Sequence, residues 1–279
     1  MPIGINVNMA AQMALQNLNQ TQSDLGITQR RISTGQKVAN ASDNGATFAI
    51  AQNQRSSSRA YTTVMESLNR VQSTVDVASS ALGVVSDLLL QMKEKALAGV
   101  DASIDTTSRS ILNTDFKALR DQITKAVSNA TFNGVNLILN NTNISALANE
   151  TGVSKLTVLA QTMNLTAGAT GTGNIRVGTT ATIGAATAAS LQLGNVNTSI
   201  SNVSTALASL GTNSRILGQH RDFISKLQDA VDAGIANITD ADLSKESSRL
   251  QSLQTKQQLG YQALSIANSS TQSLLSLFR

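Results

Sequence analysis

LSKESSRLQSLQTKQQLGYQALSIANSSTQSLLSLFR, residues 243–279, contains no proline and repeats every seven residues. Heptads counted from Leu243 fall on Leu243, Leu250, Gln257, Leu264, Thr271 and Phe278, and the companion position falls on Leu253, Gly260, Ala267 and Leu274. Such a repeat keeps one stripe of a helix facing another helix. Gln257 and Thr271 are polar and Gly260 and Ala267 small. The stripe is therefore too thin for a stable dimer, yet it allows helices to approach closely in a crowded assembly. A surface helix of a globular domain also carries one apolar stripe, so the period alone leaves that reading open.

A second thin seam lies at the opposite end. Val7, Ala11, Ala14, Leu18, Thr21, Leu25, Thr28 and Ile32 are spaced four and three residues apart in alternation. Gly35 interrupts the pattern, and Asn40-Ala-Ser-Asp-Asn-Gly45 offers short polar side chains for a new helix start, with Ser42 or Asp43 the expected N-cap. From Asn44 no breaker stronger than Gly83 occurs before about Gly99. The register Val64, Leu68, Val71, Val75, Ala78, Leu82, Val85, Leu89, Met92, Ala96 is apolar or Ala throughout. A helix over Asn44–Gly99, at about 1.5 Å per residue, reaches roughly 80 Å, longer than a globular domain needs. Asp101–Ser108 reads as a turn. Leu112, Phe116, Leu119, Ile123 and Val127 then return an antiparallel helix.

The middle changes character. Phe132-Asn-Gly134 signals a turn, and Val135, Leu137 and Leu139 follow at strand spacing. Leu156, Val158, Ile175 and Val177 sit among Thr, Ala, Gly and Asn, which suggests a small β-containing module between about 140 and 190. Val196, Ile200, Val203, Leu207, Leu210, Leu217, Ile224, Leu227 and Val231 restore the helical period, and Asn237–Asp242 supplies a turn and a cap. The order is a palindrome of thin terminal helix, long helix, small middle, long helix and thin terminal helix. The expected fold is mainly α, a long antiparallel helical coiled-coil rod with a small β-containing middle module.

Composition agrees with a thin core. Of 279 residues, 3% are aromatic and 14% charged, with no Trp and one Pro, at position 2; an ordinary domain is about a quarter charged. The net charge of +4 includes no basic run longer than Arg30-Arg31, which argues against a nucleic-acid partner. Without Cys there is no disulfide framework and no thiol chemistry. The N-terminus lacks a basic n-region and an apolar h-region, and no window of about 18 apolar residues is evident. A soluble chain with no membrane partner is expected, exported, if at all, without an ordinary signal peptide.

Residues suited to catalysis are sparse. His220 is the only His, which rules out a His cluster for a metal within one chain. Gly168, Gly171, Gly173 and Gly178 resemble a phosphate loop, but Arg176 stands where the third Gly of a dinucleotide fingerprint belongs, so a flexible loop is the expectation. Asp240, Asp242 and Glu246 resemble the start of a calcium loop, but Lys245 replaces its Gly, and helix capping accounts for them. Tyr61 and Tyr261, at apolar helical spacing, read as packing residues. No catalytic residue, cofactor or metal is expected.

Several stretches resemble bacterial flagellin. They are Gln29-Arg-Arg-Ile-Ser-Thr-Gly-Gln-Lys-Val38, Asn40-Ala-Ser-Asp-Asn-Gly-Ala46, Phe132-Asn-Gly-Val135, Ala263-Leu-Ser-Ile-Ala-Asn268 and Leu274-Leu-Ser-Leu-Phe-Arg279. The resemblance covers about 1–140 and 190–279, and Leu253-Gln-Thr-Lys-Gln-Gln-Leu-Gly260 with the small middle is most similar to short alphaproteobacterial flagellins. It implies a structural subunit of the flagellar filament, used for swimming. Residues 1–42 and 238–279 would form the inner coiled-coil core with its joint, 43–140 and 190–237 the long-helix shell, and 141–189 a small outer module. Core packing would fall to Val7, Ala11, Ala14, Leu18, Leu25, Ile32, Leu250, Leu253, Leu264, Ala267, Leu274 and Phe278. Shell packing would fall to Val64, Leu68, Val71, Val75, Leu82, Val85, Leu89 and Met92. A hook-filament junction protein shares such terminal helices, but the closing Leu-Ser-Leu-Phe-Arg and the Phe-Asn-Gly turn favour flagellin. Some flagellins resemble proteases in the middle; this middle lacks His, Cys and a carboxylate cluster.

The resemblance carries further implications. The partners would be other copies of the chain, the filament cap, junction proteins and an export chaperone. The location would be the extracellular filament, reached by the flagellar type III route without a cleaved signal peptide. Thr166, Thr170, Thr172, Thr179, Thr180, Thr182 and Thr187 occupy positions where similar flagellins often carry O-linked sugars. Flagellins detected by the vertebrate innate flagellin receptor resemble one another along Leu-Gln-Arg-Val-Arg-Glu-Leu, with a Glu on the returning helix. Here the stretch reads Leu89-Leu-Gln-Met-Lys-Glu-Lys95, so Gln91, Lys95 and Asp115 form a degenerate version of that patch.

Overall fold

The computed structural model describes residues 8–165 and 174–276, with side chains described through 269. Val7, Thr166, Thr170, Thr172, Gly168, Gly171, Gly173 and Phe278 lie outside the described residues, as do the side chains of Thr271 and Leu274. Among the described residues there are five helices and one hairpin: α1 (Met9–Thr34), α2 (Gly45–Val100), α3 (Thr106–Asn129), β1 (Ile144–Leu147), β2 (Lys155–Val158), α4 (Ala186–Thr239) and α5 (Leu243–Ser276). The fold is mainly α. Two compact units are formed, one by the chain up to Ser58 with the chain from Asp229 onward, the other by Arg59–Gln228.

Helix boundaries follow local chemistry. Asn8 caps α1, its side-chain oxygen accepting from the Ala11 N–H at 3.0 Å. Gly35, at φ 70°, ends the helix in the left-handed conformation that Gly adopts without a Cβ penalty. The cap of α2 differs from the expectation. Asn44 accepts from the Thr47 N–H at 3.1 Å, whereas Asp43 turns back to the N–H groups of Ala39 and Asn40 at 3.1 and 3.2 Å. Several short polar residues compete for such orphan donors, and the residue immediately before the first helical turn has the reach. The expected turn at 101–108 is shorter, because Asp105 already caps α3 and accepts from the Ser108 N–H at 2.6 Å. The Ser108 hydroxyl and its N–H both bond the Asp105 carboxylate and hold it below the usual carboxylate range; the Ser103 N–H and hydroxyl do the same for Asp101.

Helix α2 runs 56 residues without interruption. It is long and apolar enough to cross a membrane by length and composition, although Ser, Thr or charged residues interrupt every 18-residue window of it. In the unit formed by Arg59–Gln228, Val64, Leu68, Val71, Val75, Ala78, Leu82, Val85, Leu89, Met92 and Ala96 are all buried. Ala189, Val196, Val203, Leu210, Leu217 and Ile224, seven residues apart on α4, are buried too, as are Phe116, Ile123 and Val127 of α3. Polar contacts fix the register of these segments: Gln72 donates to Ser214 at 2.7 Å and Gln228 to Thr62 at 3.2 Å.

The middle segment departs from the expected strands at two places. Val135, Leu137 and Leu139 form no strand. Phe132 and Val135 exchange both backbone hydrogen bonds at 2.9 Å, closing the Phe-Asn-Gly turn on itself. Asn136, donating to the Val127 carbonyl at 2.7 Å, then accepts from the N–H groups of Ile138 and Leu139 at 2.9 Å, so the chain turns again. Consecutive Leu137 and Ile138 are both buried, which an alternating strand with one wet face does not allow. Leu156 and Val158 do lie in a strand, and β1 pairs antiparallel with β2, Ile144 opposite Val158 and Leu147 opposite Lys155. Ile175 makes only an isolated bridge to Leu165, and Val177 is in no strand. Both are buried, as is Gly178, whose carbonyl accepts from the Ala181 N–H at 2.9 Å, where a flexible loop was expected. The Arg176 N–H donates to Ser199 at 2.8 Å, the Ile183 N–H to Asn113 at 2.8 Å, and Arg120 to the Ala181 carbonyl at 3.3 Å. This segment has little regular structure because its backbone groups bond to helix side chains instead.

Candidate assembly interface

The two thin seams meet in the unit built from the chain ends. Asn8 Nδ2 donates to the Ala267 carbonyl at 2.9 Å, Leu18 lies against Gly260, Arg31 reaches Glu246, and the Ala241 N–H donates to the Gly35 carbonyl at 2.9 Å. Positions rise along α1 as they fall along α5, so the helices are antiparallel. The turn before α5 is tied to the chain after α1: the Thr239 carbonyl accepts from the N–H groups of Lys37 and Val38 at 2.7 and 3.2 Å. Asp242 caps α5, accepting from the N–H groups of Ser244 and Lys245 at 3.0 and 3.1 Å.

Seam residues differ in burial. Leu18, Thr28 and Leu253 are buried, whereas Ala11, Ala14, Leu25, Ile32, Leu250, Leu264 and Ala267 are half-buried. A Cβ on Gly260 would stand 3.1 Å from Leu18 Cδ1, so the missing side chain is what lets the backbone of α5 come this close. The Arg31–Glu246 ion pair, at 3.1 Å, is largely shielded, with the Glu246 side chain 11% exposed. Heptad period does not encode it; the available signal is an Arg three residues before the end of α1 and a Glu three residues after the start of α5, which antiparallel packing brings level.

Large apolar side chains remain uncovered on this pair. Met9, Met13 and Leu15 of α1 and Leu243, Leu259, Tyr261 and Ile266 of α5 are exposed, Ile266 by 69%. Tyr261 is thus no packing residue within the chain: it is 51% exposed, and its hydroxyl accepts from Gln22 at 3.3 Å. Tyr61, by contrast, is buried, and its hydroxyl bonds Glu150, which pushes its pKa up. Leu243, first in the heptad count, lies at the end of the seam and is uncovered by α1. Apolar groups clustered this way on one helix pair mark a surface for another protein.

The other singled-out residues lie in the second unit. Lys95 Nζ and Asp115 Oδ2 are 2.7 Å apart, a partly exposed ion pair, with Gln91 exposed one turn before. Thr179, Thr180, Thr182 and Thr187 are all exposed. The His220 Nε2–H donates to the Ala148 carbonyl at 2.8 Å, and its ring lies 5.9 Å from that of Phe223, so it ties α4 to the loop after β1. Arg109 is the charged member of the α3 register. It is buried, and it donates to the carbonyls of Gly99, Asp101 and Ile104, covering the carbonyl-rich end of α2 with a cation. A charged residue seven before Phe116, in an otherwise apolar register, was the sequence signal for it.

Comparison with known proteins matches this architecture. The bacterial flagellin N-terminal helical region matches residues 5–143 and the bacterial flagellin C-terminal helical region matches 193–278. Flagellin FljO of Caulobacter vibrioides is 51% identical over 276 residues, covering 99% of this chain and 98% of that one. A flagellin of Brucella melitensis is 38% identical over 282 residues, covering 99% of each. A flagellar hook-associated protein from Vibrio parahaemolyticus, described as putative in its structure's name, shares the fold with a TM-score of 0.56 at 17% identity, over 71% of this chain and 100% of that one. The chain belongs to the bacterial flagellin family, as a structural subunit of the extracellular flagellar filament.

Proposed function

We propose that the α1–α5 pair is the inner packing element of the filament and completes its burial only against neighbouring copies. The observation that supports this is the set of exposed apolar side chains on a pair whose own seam is thin, Met9, Met13 and Leu15 beside Leu259, Tyr261 and Ile266. One pair alone buries too little apolar area to offset the ordering entropy of two long helices; neighbours add the remainder. Residues 1–42 and 238–279 then form the core, 43–140 and 190–237 the surrounding shell, and 141–189 the outward module. Negative-stain microscopy of the purified chain after seeding tests this: micrometre filaments are expected, and short rings or stubs would overturn it in favour of a junction role.

The finer partners follow from family membership and belong to the same proposal. The chain leaves the cell through the flagellar type III route without a cleaved signal peptide, escorted by an export chaperone, and assembles beneath a cap on junction proteins. It performs no catalysis. The exposed Thr179, Thr180, Thr182 and Thr187, with Thr166, Thr170 and Thr172 of the same small-residue segment, are acceptors for O-linked sugars. Intact-protein mass spectrometry of native filaments is expected to show mass above that of the bare chain. The unmodified mass would rule out the sugars.

A further inference from the structure

The Asn-Gly dipeptide occurs twice, at Asn44-Gly45 and Asn133-Gly134, in opposite environments. Gly lacks a side chain, so its backbone nitrogen can reach the side-chain amide of a preceding Asn more easily than that of any other residue. At the first site the reaction is blocked. Asn44 Oδ1 is held by the Thr47 N–H at 3.1 Å, the Asn44 carbonyl accepts from the Phe48 N–H at 2.9 Å, and Gly45 begins α2. Moving the Asn44 amide onto the Gly45 nitrogen would break the cap and the first turn together.

At the second site the restraints are absent. Asn133 and Gly134 are both exposed at the tip of the turn, at φ 49° and 77°. The turn's two hydrogen bonds belong to Phe132 and Val135, and among the described residues neither the Asn133 amide nor the Gly134 N–H has a partner. Asn133 also lines an open groove with Arg70, which forms no ion pair among the described residues.

We propose that Asn133 is a site of spontaneous deamidation, its side-chain amide converted to a carboxylate on the groove that Arg70 also lines. The Gly134 nitrogen, losing its proton to base, attacks Asn133 Cγ and forms the new C–N bond of a five-membered imide. The Cγ–Nδ2 bond breaks and the nitrogen departs as ammonia with the proton returned. Water then opens the ring at either carbonyl, leaving Asp or isoaspartate at 133. The Asp product keeps the backbone length and adds a negative charge to the groove that the Arg70 cation also lines. Isoaspartate adds a methylene to the main chain and opens the Phe132–Val135 bridge.

Peptide mapping of the full-length chain, incubated folded in mild alkali and again in urea, tests the assignment. In urea both Asn-Gly peptides are expected to gain the shift of about 1 Da that marks amide loss, with isoaspartate in each. In the folded chain the peptide holding Asn133 should convert while that holding Asn44 stays intact. Equal protection of both peptides when folded, or conversion at Asn44 ahead of Asn133, would overturn the proposal.

Discussion

Gly260 faces Leu18 with 3.1 Å between a would-be Cβ and the Leu18 methyl, so single side chains at this point test the seam directly. Gly260→Ala gains helix propensity worth about 1 kcal/mol, and Leu18 can swing away, so little net change is expected. Gly260→Val adds branched bulk where a single Cβ already stands 3.1 Å from Leu18 Cδ1 and 3.9 Å from its Cβ, and a loss of about 1–3 kcal/mol is expected from overpacking. Thermal melts of filaments assembled from the two variants should therefore differ, and equal melting would mean that α1 and α5 do not approach as described. Asp105 offers a test by pH. Its folded pKa is lowered by the Ser108 hydroxyl and N–H, so its contribution is fully present above the unfolded carboxylate value and disappears as pH falls through the lowered one. Asp105→Asn preserves a capping oxygen but removes the titration. Its stability curve in acid should be flatter than the parent's, and parallel curves would show that the cap contributes nothing pH-dependent. The Asn40–Gly45 composition made a cap legible, but the side chain that served was set by position: Asn44 meets the first turn of α2, while Asp43 turns back to Ala39 and Asn40. Tyr61 and Tyr261 share the same helical spacing, yet only one is buried, because spacing reports a face and not whether this chain covers it.

Helices with one long buried stripe were readable because each buried position repeats a local rule, as α2 does from Val64 to Ala96 and α4 from Ala189 to Ile224. The middle segment was not readable for the opposite reason. Its order comes from side chains far away in sequence, Asn113 and Arg120 on α3 and Ser199 on α4, which receive or supply backbone hydrogen bonds at 181–183 and 176. No local period encodes such partners. The same distinction predicts the outcome of losing an element. Deleting the chain from Leu250 onward removes Leu253, Gly260 and Leu264 from beside α1 and leaves Leu18 facing water. The hydrogen bonds within Arg59–Gln228 are untouched. A soluble, partly helical monomer that does not polymerise is expected; filaments of ordinary appearance under negative stain would show that α5 is dispensable.

At the scale of the whole molecule, the proposed degenerate receptor patch is Gln91, Lys95 and Asp115, and the prediction is a response that fails to occur. In flagellins that activate the vertebrate innate receptor, the matching helix supplies an Arg fork and an apolar Leu, with a Glu on the returning helix. Gln91 has neither charge nor fork. Lys95 places a hydrated ammonium at the apolar position, and its 2.7 Å bond to Asp115 occupies the one carboxylate that stands for the Glu. A partly exposed pair of this kind is worth at most about 1 kcal/mol, so it does not by itself close the surface. The lost Arg is the larger effect, since an interface Arg commonly contributes about 2 kcal/mol or more, and each 1.4 kcal/mol is tenfold in affinity. Depolymerised monomer should therefore signal far more weakly in reporter cells than a flagellin carrying Arg and Leu. Combining Gln91→Arg with Lys95→Leu should restore part of the response, because it returns the fork and the apolar contact and frees Asp115. Strong signalling by the unaltered chain, or none gained by the double variant, would show that recognition does not run through this face.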